Sequence, residues 1–303
     1  MDEIHGEGDL NACQEAMSTV IVTGATSQIG SFLLESLSKG GFKVHAASRS
    51  PISAHLENVF WHEADIEKDG IPQVKNADTL IHLAPIWLLP DLLPSLSGIG
   101  RIIAFSSTSL YTKAESKDPH ERELAKKLAD AEKSVIEACE KMGIAWTILR
   151  PTIIYCPGKD RNLTRISRFI AKFGFFPLAG KGSGLRQPVH AADLADACMS
   201  VMESERTRGR SYNLSGGETL TYREMVARIF QGLGKNPRFV SIPLPLLRMM
   251  LTALAMLPRY RNYTAEMADR MDSDLCFDHS DAASDFAYSP RPFSWQPPCK
   301  PVR

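Results

Sequence analysis

Twelve consecutive residues, Thr19-Val20-Ile21-Val22-Thr23-Gly24-Ala25-Thr26-Ser27-Gln28-Ile29-Gly30, constrain this chain more than any other stretch. The β-branched run predicts a strand, and residues 29–39 carry helical periodicity, so a short glycine-bearing turn must join the two. Gly24 permits that turn, and Gly30 lets the helix pack on the strand. A helix that starts so close to the end of a strand aims its unpaired N–H groups outward, where they suit an anionic group. Gly24, Thr26, Ser27, Gln28, Ile29 and Gly30 are therefore candidate binders of a pyrophosphate. Ser27 stands where a middle glycine is usual; it is small enough to admit a phosphate, and its hydroxyl can bond one.

Further along, apolar β-type runs at 44–47, 80–83 and 102–105 alternate with helical segments. Between Pro119 and Gly143 apolar residues recur at Leu124, Leu128, Ala131, Val135, Cys139 and Met142, the stripe of a long amphipathic helix feeding a strand at 146–149. This alternation predicts an α/β fold, a Rossmann-type doubly wound parallel sheet with a smaller C-terminal substrate-binding part. The expected division is a flexible tail over 1–17, a dinucleotide-binding domain over 18–150, and a smaller part over 151–303 interleaved with it. Met17 is a candidate natural start.

Composition narrows the function classes. Thirty-five basic and thirty-five acidic residues balance, so no net charge steers the chain toward nucleic acid. The most apolar stretch, 244–257, has fourteen residues interrupted by Arg248, short of the roughly twenty that span a bilayer. It reads as a core or lid helix in preference to a membrane-surface attachment, and no membrane partner is expected. Six cysteines without a C-x-x-C pair, and a start without a signal-peptide pattern, point to reduced thiols in the cytoplasm. Scattered His and Cys show no metal-ligand spacing, so no metal site is expected.

The second strand ends in Ala46-Ala47-Ser48-Arg49-Ser50. A carboxylate here would hold the ribose 2′-hydroxyl of NAD and repel a 2′-phosphate; Arg49 instead offers that phosphate a charge-assisted grip. The preferred cofactor is NADP(H), with NAD(H) as the alternative.

Several ordered motifs follow. They are Ala64-Asp65-Ile66, Leu80-Ile81-His82-Leu83-Ala84-Pro85, Ser106-Ser107-Thr108-Ser109-Leu110-Tyr111, and Leu149-Arg150-Pro151 with Tyr155-Cys156-Pro157-Gly158. Arg186-Gln187-Pro188-Val189-His190-Ala191-Ala192-Asp193-Leu194-Ala195, Tyr212-Asn213-Leu214-Ser215-Gly216-Gly217, and a closing Phe286-Ala287-Tyr288-Ser289-Pro290-Arg291 complete the series. Together with the glycine turn, the set resembles the NAD(P)-dependent epimerase/dehydratase branch of the short-chain dehydrogenase/reductases over residues 19–292. The resemblance implies that Asp65 and Ile66 contact adenine, that Leu83, Ala84 and Pro85 lie along the cofactor ribose, and that Pro151 lines the nicotinamide end. It also implies that Ser107 points at the substrate, that Tyr111 stands beside it, and that Arg186 meets a substrate phosphate. Members of this family often dimerise through the long helix, so a homodimer is the expectation.

One part of the pattern is missing. The family's reaction uses a Tyr base and a Lys one helical turn later. Counted from Glu132 and Gly143, those positions fall on Leu124 and Leu128, or one residue earlier on Glu123 and Lys127. The first register puts both on the inward apolar stripe; the second leaves a Glu-to-Lys pair, with Lys127 as the one catalytic candidate. Tyr155 and Lys159 share the spacing, but Pro157 and Gly158 between them forbid a helical turn. His190 belongs to a structural motif in which Asp193 is expected to cap a helix. His82 sits in a strand that reads as buried.

Two functional expectations remain. One is an oxidoreductase or epimerase/dehydratase-like enzyme for a carbonyl, alcohol or nucleotide-sugar-like small molecule, with Ser107 holding the reacting oxygen. Its proton donor is a water, Tyr111, Lys127 or a residue of the 174–190 loop. The other is an NADP(H)-binding sensor or regulatory protein.

Overall fold

A computed structural model describes residues 18–50, 55–256 and 265–297, so the expected 1–17 tail lies outside the described residues. Strands β1 (Thr19–Thr23), β2 (Lys43–Ser48), β3 (Val59–Glu63), β4 (Ala77–His82), β5 (Arg101–Phe105) and β6 (Ala145–Pro151) join a later strand, Arg210–Leu214, in one parallel sheet. Its order is β3-β2-β1-β4-β5-β6 and then Arg210–Leu214. The chain order reverses between β1 and β4, and in such a sheet the crevice for ligands opens there, outside the carboxyl ends. The Rossmann-type architecture read from the sequence is the one observed. Arg210–Leu214 comes from the C-terminal half, so the sheet is finished by a segment far from the glycine turn.

The alternating side chains of the strands fill two cores. Val20, Val22, Ile81 and Ile103 point to one face, against Leu33 and Leu37 of the helix Gly30–Lys39 and Leu194 and Val201 of the helix Ala191–Glu203. Ile21, Leu80, Ile102 and Ile148 point to the other, against Leu128, Ala131, Val135 and Cys139 of the long helix Pro119–Met142. Asp118 caps that helix by accepting from the His120 N–H at 2.9 Å, and Gly143 ends it in a left-handed turn. At its middle, Glu132 takes Arg150 of β6 through three hydrogen bonds of 3.0, 3.0 and 2.5 Å, tying the helix to the carboxyl end of the sheet.

A second lobe packs around Tyr155, Leu178, Ile229 and Phe230. It contains the helices Leu163–Phe173 and Tyr222–Gly232 and the parallel pair of strands Phe176–Ala179 and Phe239–Ile242. Two readings of this half change. His190, not Asp193, caps the helix Ala191–Glu203, its Nδ1 accepting from the Ala192 N–H at 3.1 Å. Asp193 is drawn away because its carboxylate takes the Nε–H of Arg291 at 2.6 Å and the Arg291 backbone N–H at 3.1 Å. The helix Leu244–Ala255 buries Leu247 and leaves Leu246, Met249 and Met250 exposed, so of the core or lid helix that its composition suggested it is not the core helix. Among the described residues no helix is long and apolar enough to cross a membrane.

Candidate functional site

The turn after β1 is held against the end of β4. Gly24 has φ +65°, and a Cβ placed on it would stand 2.6 Å from the Ala84 nitrogen and 2.8 Å from the Leu83 carbonyl carbon. Only glycine fits a position that is both left-handed and this crowded. On Gly30 a Cβ would meet the Ala25 carbonyl oxygen at 2.1 Å, so the helix starts as close to the turn as backbone allows. Ser27 serves the helix directly: its Oγ accepts from the Gly30 N–H at 3.1 Å. The hydroxyl that was expected to face a phosphate thus spends one acceptor on the helix start.

A cavity of about 360 Å³ opens over this turn. Ser27, Gln28 and Ile29 form one wall; Leu83, Ala84 and Pro85 with Ile86 and Trp87 form another; Ser106, Ser107 and Pro151 close the carboxyl ends of β5 and β6. Two polar atoms at this cavity are buried and have no partner, Gln28 Oε1 and Ser106 Oγ. Such groups cost free energy until a ligand or water satisfies them. Leu124 and Leu128 of the long helix complete the lining. The apolar register is therefore the one that faces the cavity, and none of its lining residues is ionisable.

Lys127 is not among the residues that line the cavity. It is exposed on the long helix, with its Nζ 4.6 Å from the centre of the ring of Trp87, a wall residue. Helical spacing explains the placement: Leu124 and Leu128 take the inward stripe, and a residue one position before Leu128 is rotated by about 100° out of it. Tyr111 does not line this cavity; 46% of its surface is exposed, and its ring centre lies 5.8 Å from that of Phe277.

A second cavity, about 390 Å³, adjoins the first and shares Gln28, Ser107, Ser109 and Ile154 with it. Its far wall carries three cations, Lys113, Arg186 and Arg270. Glu121 is the carboxylate among them: it lies 3.4 Å from Lys113, bonds Arg270, and accepts from the Ser116 hydroxyl at 2.8 Å. These partners hold the Glu121 carboxyl below its ordinary value against the opposing cost of burial. Arg186 lines this cavity but is only 4% exposed, and it donates to the carbonyls of Leu185 and Ser273 at 2.7 Å and to that of Arg270. Three of its five donors are thereby committed to backbone, a clamp on the 270–273 segment that the sequence motif did not suggest. At the junction of the cavities the Ser107 hydroxyl donates to Ser109 Oγ at 3.0 Å and accepts the Ser109 N–H at 3.1 Å.

The remaining predicted residues lie outside both cavities. Arg49 is exposed at the end of β2. Asp65 caps the short helix Ile66–Asp69, accepting from the Glu67 N–H at 3.3 Å, while Ile66 is buried. Thr26 is exposed on the turn. Arg270 and Lys113 were not singled out from the sequence. Lys113 follows the Ser107 motif closely enough to have been noticed, whereas Arg270 reaches Glu121 across 149 residues and only folding brings it there. Among the described residues no group of three or more His, Cys, Asp or Glu side chains could hold a metal ion.

Comparison with known proteins places this geometry. The chain is 32% identical to the Arabidopsis thaliana mitochondrial NADH dehydrogenase [ubiquinone] 1 alpha subcomplex subunit 9 over 123 residues, 40% of this chain and 29% of that protein. It thus matches less than a third of that relative's length. The Escherichia coli protein YbjS is 26% identical over 89% of this chain and 93% of its own length. The structure of UDP-glucuronic acid 4-epimerase from Bacillus cereus, in complex with UDP-glucuronic acid and NAD, superposes with a TM-score of 0.65 at 16% identity, covering 91% of this chain and 95% of that one. The pattern of the NAD dependent epimerase/dehydratase family matches residues 20–87 and 91–215. Since that match takes in the glycine turn, the switch-point crevice and the segment that caps with His190, the chain belongs to the NAD dependent epimerase/dehydratase family.

Proposed function

We propose that this protein binds NADP(H), with NAD(H) as a weaker alternative, across the carboxyl ends of β1, β4 and β5, and acts on a nucleotide-sugar-like or other anionic carbonyl or alcohol substrate seated in the second cavity. The observation that carries the reading is the pair of adjoining cavities that meet at Ser107. One is apolar and bounded by the glycine turn; the other is lined by cations.

The residues fit a dinucleotide. Gly24 and Gly30 hold a turn that any Cβ would fill, and Gln28 Oε1 and Ser106 Oγ are unpartnered at the cavity. Gln28, Ile29, Leu83, Ala84, Pro85 and Pro151 would line the cofactor, with Arg49 supplying charge for a 2′-phosphate. When bound, the nicotinamide accepts or donates a hydride. Leu124 and Leu128 exclude water from that end and cannot move a proton. Ser107 holds the substrate oxygen through its hydroxyl, and its bond to Ser109 leads toward the cationic wall, where Lys113 and Arg270 offset negative charge on the substrate. The proton therefore enters from the second cavity, the side that holds every ionisable lining residue of the two.

Calorimetry with NADP(H) and NAD(H), followed by loss of reduced-nicotinamide absorbance with a panel of nucleotide sugars, aldehydes and ketones, tests this. Turnover that survives Leu124→Ala and is lost in Ser107→Ala supports it. No heat with either dinucleotide at millimolar concentration refutes it. The apolar Leu124 and Leu128 lining favours a second reading, a dinucleotide-occupied sensor. Binding without turnover on any substrate of the panel would select that reading instead.

A further inference from the structure

A lysine from the C-terminal half of the chain reaches the glycine turn. Lys159 shares no helix with Tyr155, so the spacing of the two carries no catalytic meaning, yet the fold gives this side chain a definite place. It sits in the loop between the strand Ile154–Tyr155 and the helix Leu163–Phe173, and its Nζ donates to the Ser31 hydroxyl at 3.1 Å, across 128 residues. Ser31 lies in the first turn of the helix Gly30–Lys39, and its own hydroxyl donates to the Gln28 carbonyl at 3.3 Å. The ammonium is thus brought beside the turn whose residues Ser27, Gln28 and Ile29 line the first cavity.

The loop is pinned so as to keep the lysine there. The buried Asp160 carboxylate accepts the N–H groups of Asn162 and Thr164 at 3.0 Å and the Thr164 hydroxyl at 2.7 Å, while the Gly158 N–H donates to Thr164 Oγ at 3.0 Å. Asp160 is therefore spent on the loop itself, and its neighbour Lys159 is left exposed. Among the described residues no carboxylate lies within 4.0 Å of the Lys159 ammonium; Glu35, the acidic residue of the helix it touches, is taken by Lys39 at 2.7 Å.

An ammonium without a counter-charge is a poor neighbour for this helix end. The N-terminus of a helix carries partial positive charge, so a cation beside it is repelled unless an anion joins them. The turn also has donors to spare. The Ser27 N–H is taken by the Gly24 carbonyl at 2.9 Å and the Gly30 N–H by Ser27 Oγ, but among the described residues the N–H groups of Gln28 and Ile29 have no acceptor. A cation and two open backbone donors at one turn suit a single anionic group.

We infer that Lys159 binds the pyrophosphate of the dinucleotide, as a cation supplied by the second half of the chain to the glycine turn of the first. The inference rests on the dinucleotide reading given above. The group it meets is the pyrophosphate and not a 2′-phosphate, because the ammonium sits at the start of the helix that follows β1, whereas Arg49 is at the end of β2. Ser31 is its neutral partner until an anion replaces it, and a bound dinucleotide would join the two halves of the chain through this side chain.

Calorimetry on the full chain with NADP(H) and with NAD(H), at low and at raised salt, tests it. Lys159→Gln should weaken both dinucleotides by the same factor, about tenfold or more, and flatten the salt dependence of binding. Lys159→Arg keeps the charge and should hold both affinities within about threefold of the parent. Ser31→Ala removes the hydroxyl without touching the charge and should bind like the parent. Lys159 is exposed and Ser31 half-buried, so an unchanged thermal midpoint will show that each variant is folded. No heat with the parent chain would overturn the dinucleotide reading and this inference with it. Parent-like binding by Lys159→Gln would overturn this inference alone, as would a loss confined to NADP(H), which would move the ammonium to the 2′-phosphate. A loss in Ser31→Ala equal to that in Lys159→Gln would also overturn it, by making the bond between the two side chains, and not the charge, what binding needs.

Discussion

His82 should make the stability of this protein fall in mild acid, and the size of the fall can be worked from its surroundings. The residue ends β4, fully buried, directly before the Leu83 wall of the first cavity. The Thr23 hydroxyl donates to Nδ1 at 2.8 Å, and the Nε2–H donates to the Pro85 carbonyl at 3.2 Å, an assignment of the tautomer that satisfies both partners. Burial pushes the imidazole down from 6.5 to about 4, the Pro85 carbonyl opposing part of that shift. The folded state thus binds the proton more weakly than the unfolded one. The contribution is complete above about pH 6.5 and is lost as pH falls toward about 4. At about 1.4 kcal/mol per unit of displacement the loss is roughly 3 kcal/mol. Urea unfolding near pH 7, 5.5 and 4.5 on the parent chain and on His82→Asn would measure it. The variant keeps an acceptor for Thr23 and removes the titration, so carboxylate effects cancel in the difference. Parallel loss of stability in the two proteins across this window would refute the argument. Because Pro85 lines the cavity, dinucleotide affinity is expected to weaken over the same range.

Gly30→Ala places a Cβ 2.1 Å from the Ala25 carbonyl oxygen; we expect a cost of about 3 kcal/mol in thermal or urea unfolding and loss of dinucleotide binding by calorimetry. Glu132→Gln strands the Arg150 guanidinium, 17% exposed, without its charge partner and should cost about 3–5 kcal/mol, whereas Glu132→Leu combined with Arg150→Met should recover most of the loss. Arg49→Ala should weaken NADP(H) about tenfold by calorimetry and leave NAD(H) unchanged, since only the 2′-phosphate would meet that guanidinium. An equal effect on both dinucleotides would show that Arg49 does not read the 2′ position.

The parts of the site that were legible in the sequence are those formed by neighbours along the chain. The turn from Gly24 to Gly30, the Leu83-Ala84-Pro85 wall and the Ser107 junction each lie within a few residues of one strand end, so strand pattern and glycine spacing locate them. Local pattern was weaker where competition decides. Asp193 looked like a cap, yet Arg291, 98 residues away, claims its carboxylate, and His190 caps in its place. The resemblance implied that Arg186 meets a phosphate; the fold commits three of its five donors to backbone carbonyls, which no local pattern indicated.

By itself, then, the sequence determined the parallel α/β alternation and the glycine turn after its first strand, because hydrophobic period and glycine placement are properties of short segments; the strand order, and with it the switch point, came from the fold. The sequence also showed that a Tyr and Lys are missing from the long helix, but not which of two registers faces inward. That choice belonged to tertiary packing: Leu128 buries against the sheet and carries Leu124 to the cavity, which leaves Lys127 on the outer surface beside Trp87. The cationic wall was settled in the same way. Arg270 meets Glu121 only after the chain has closed over a distance along which no sequence pattern extends.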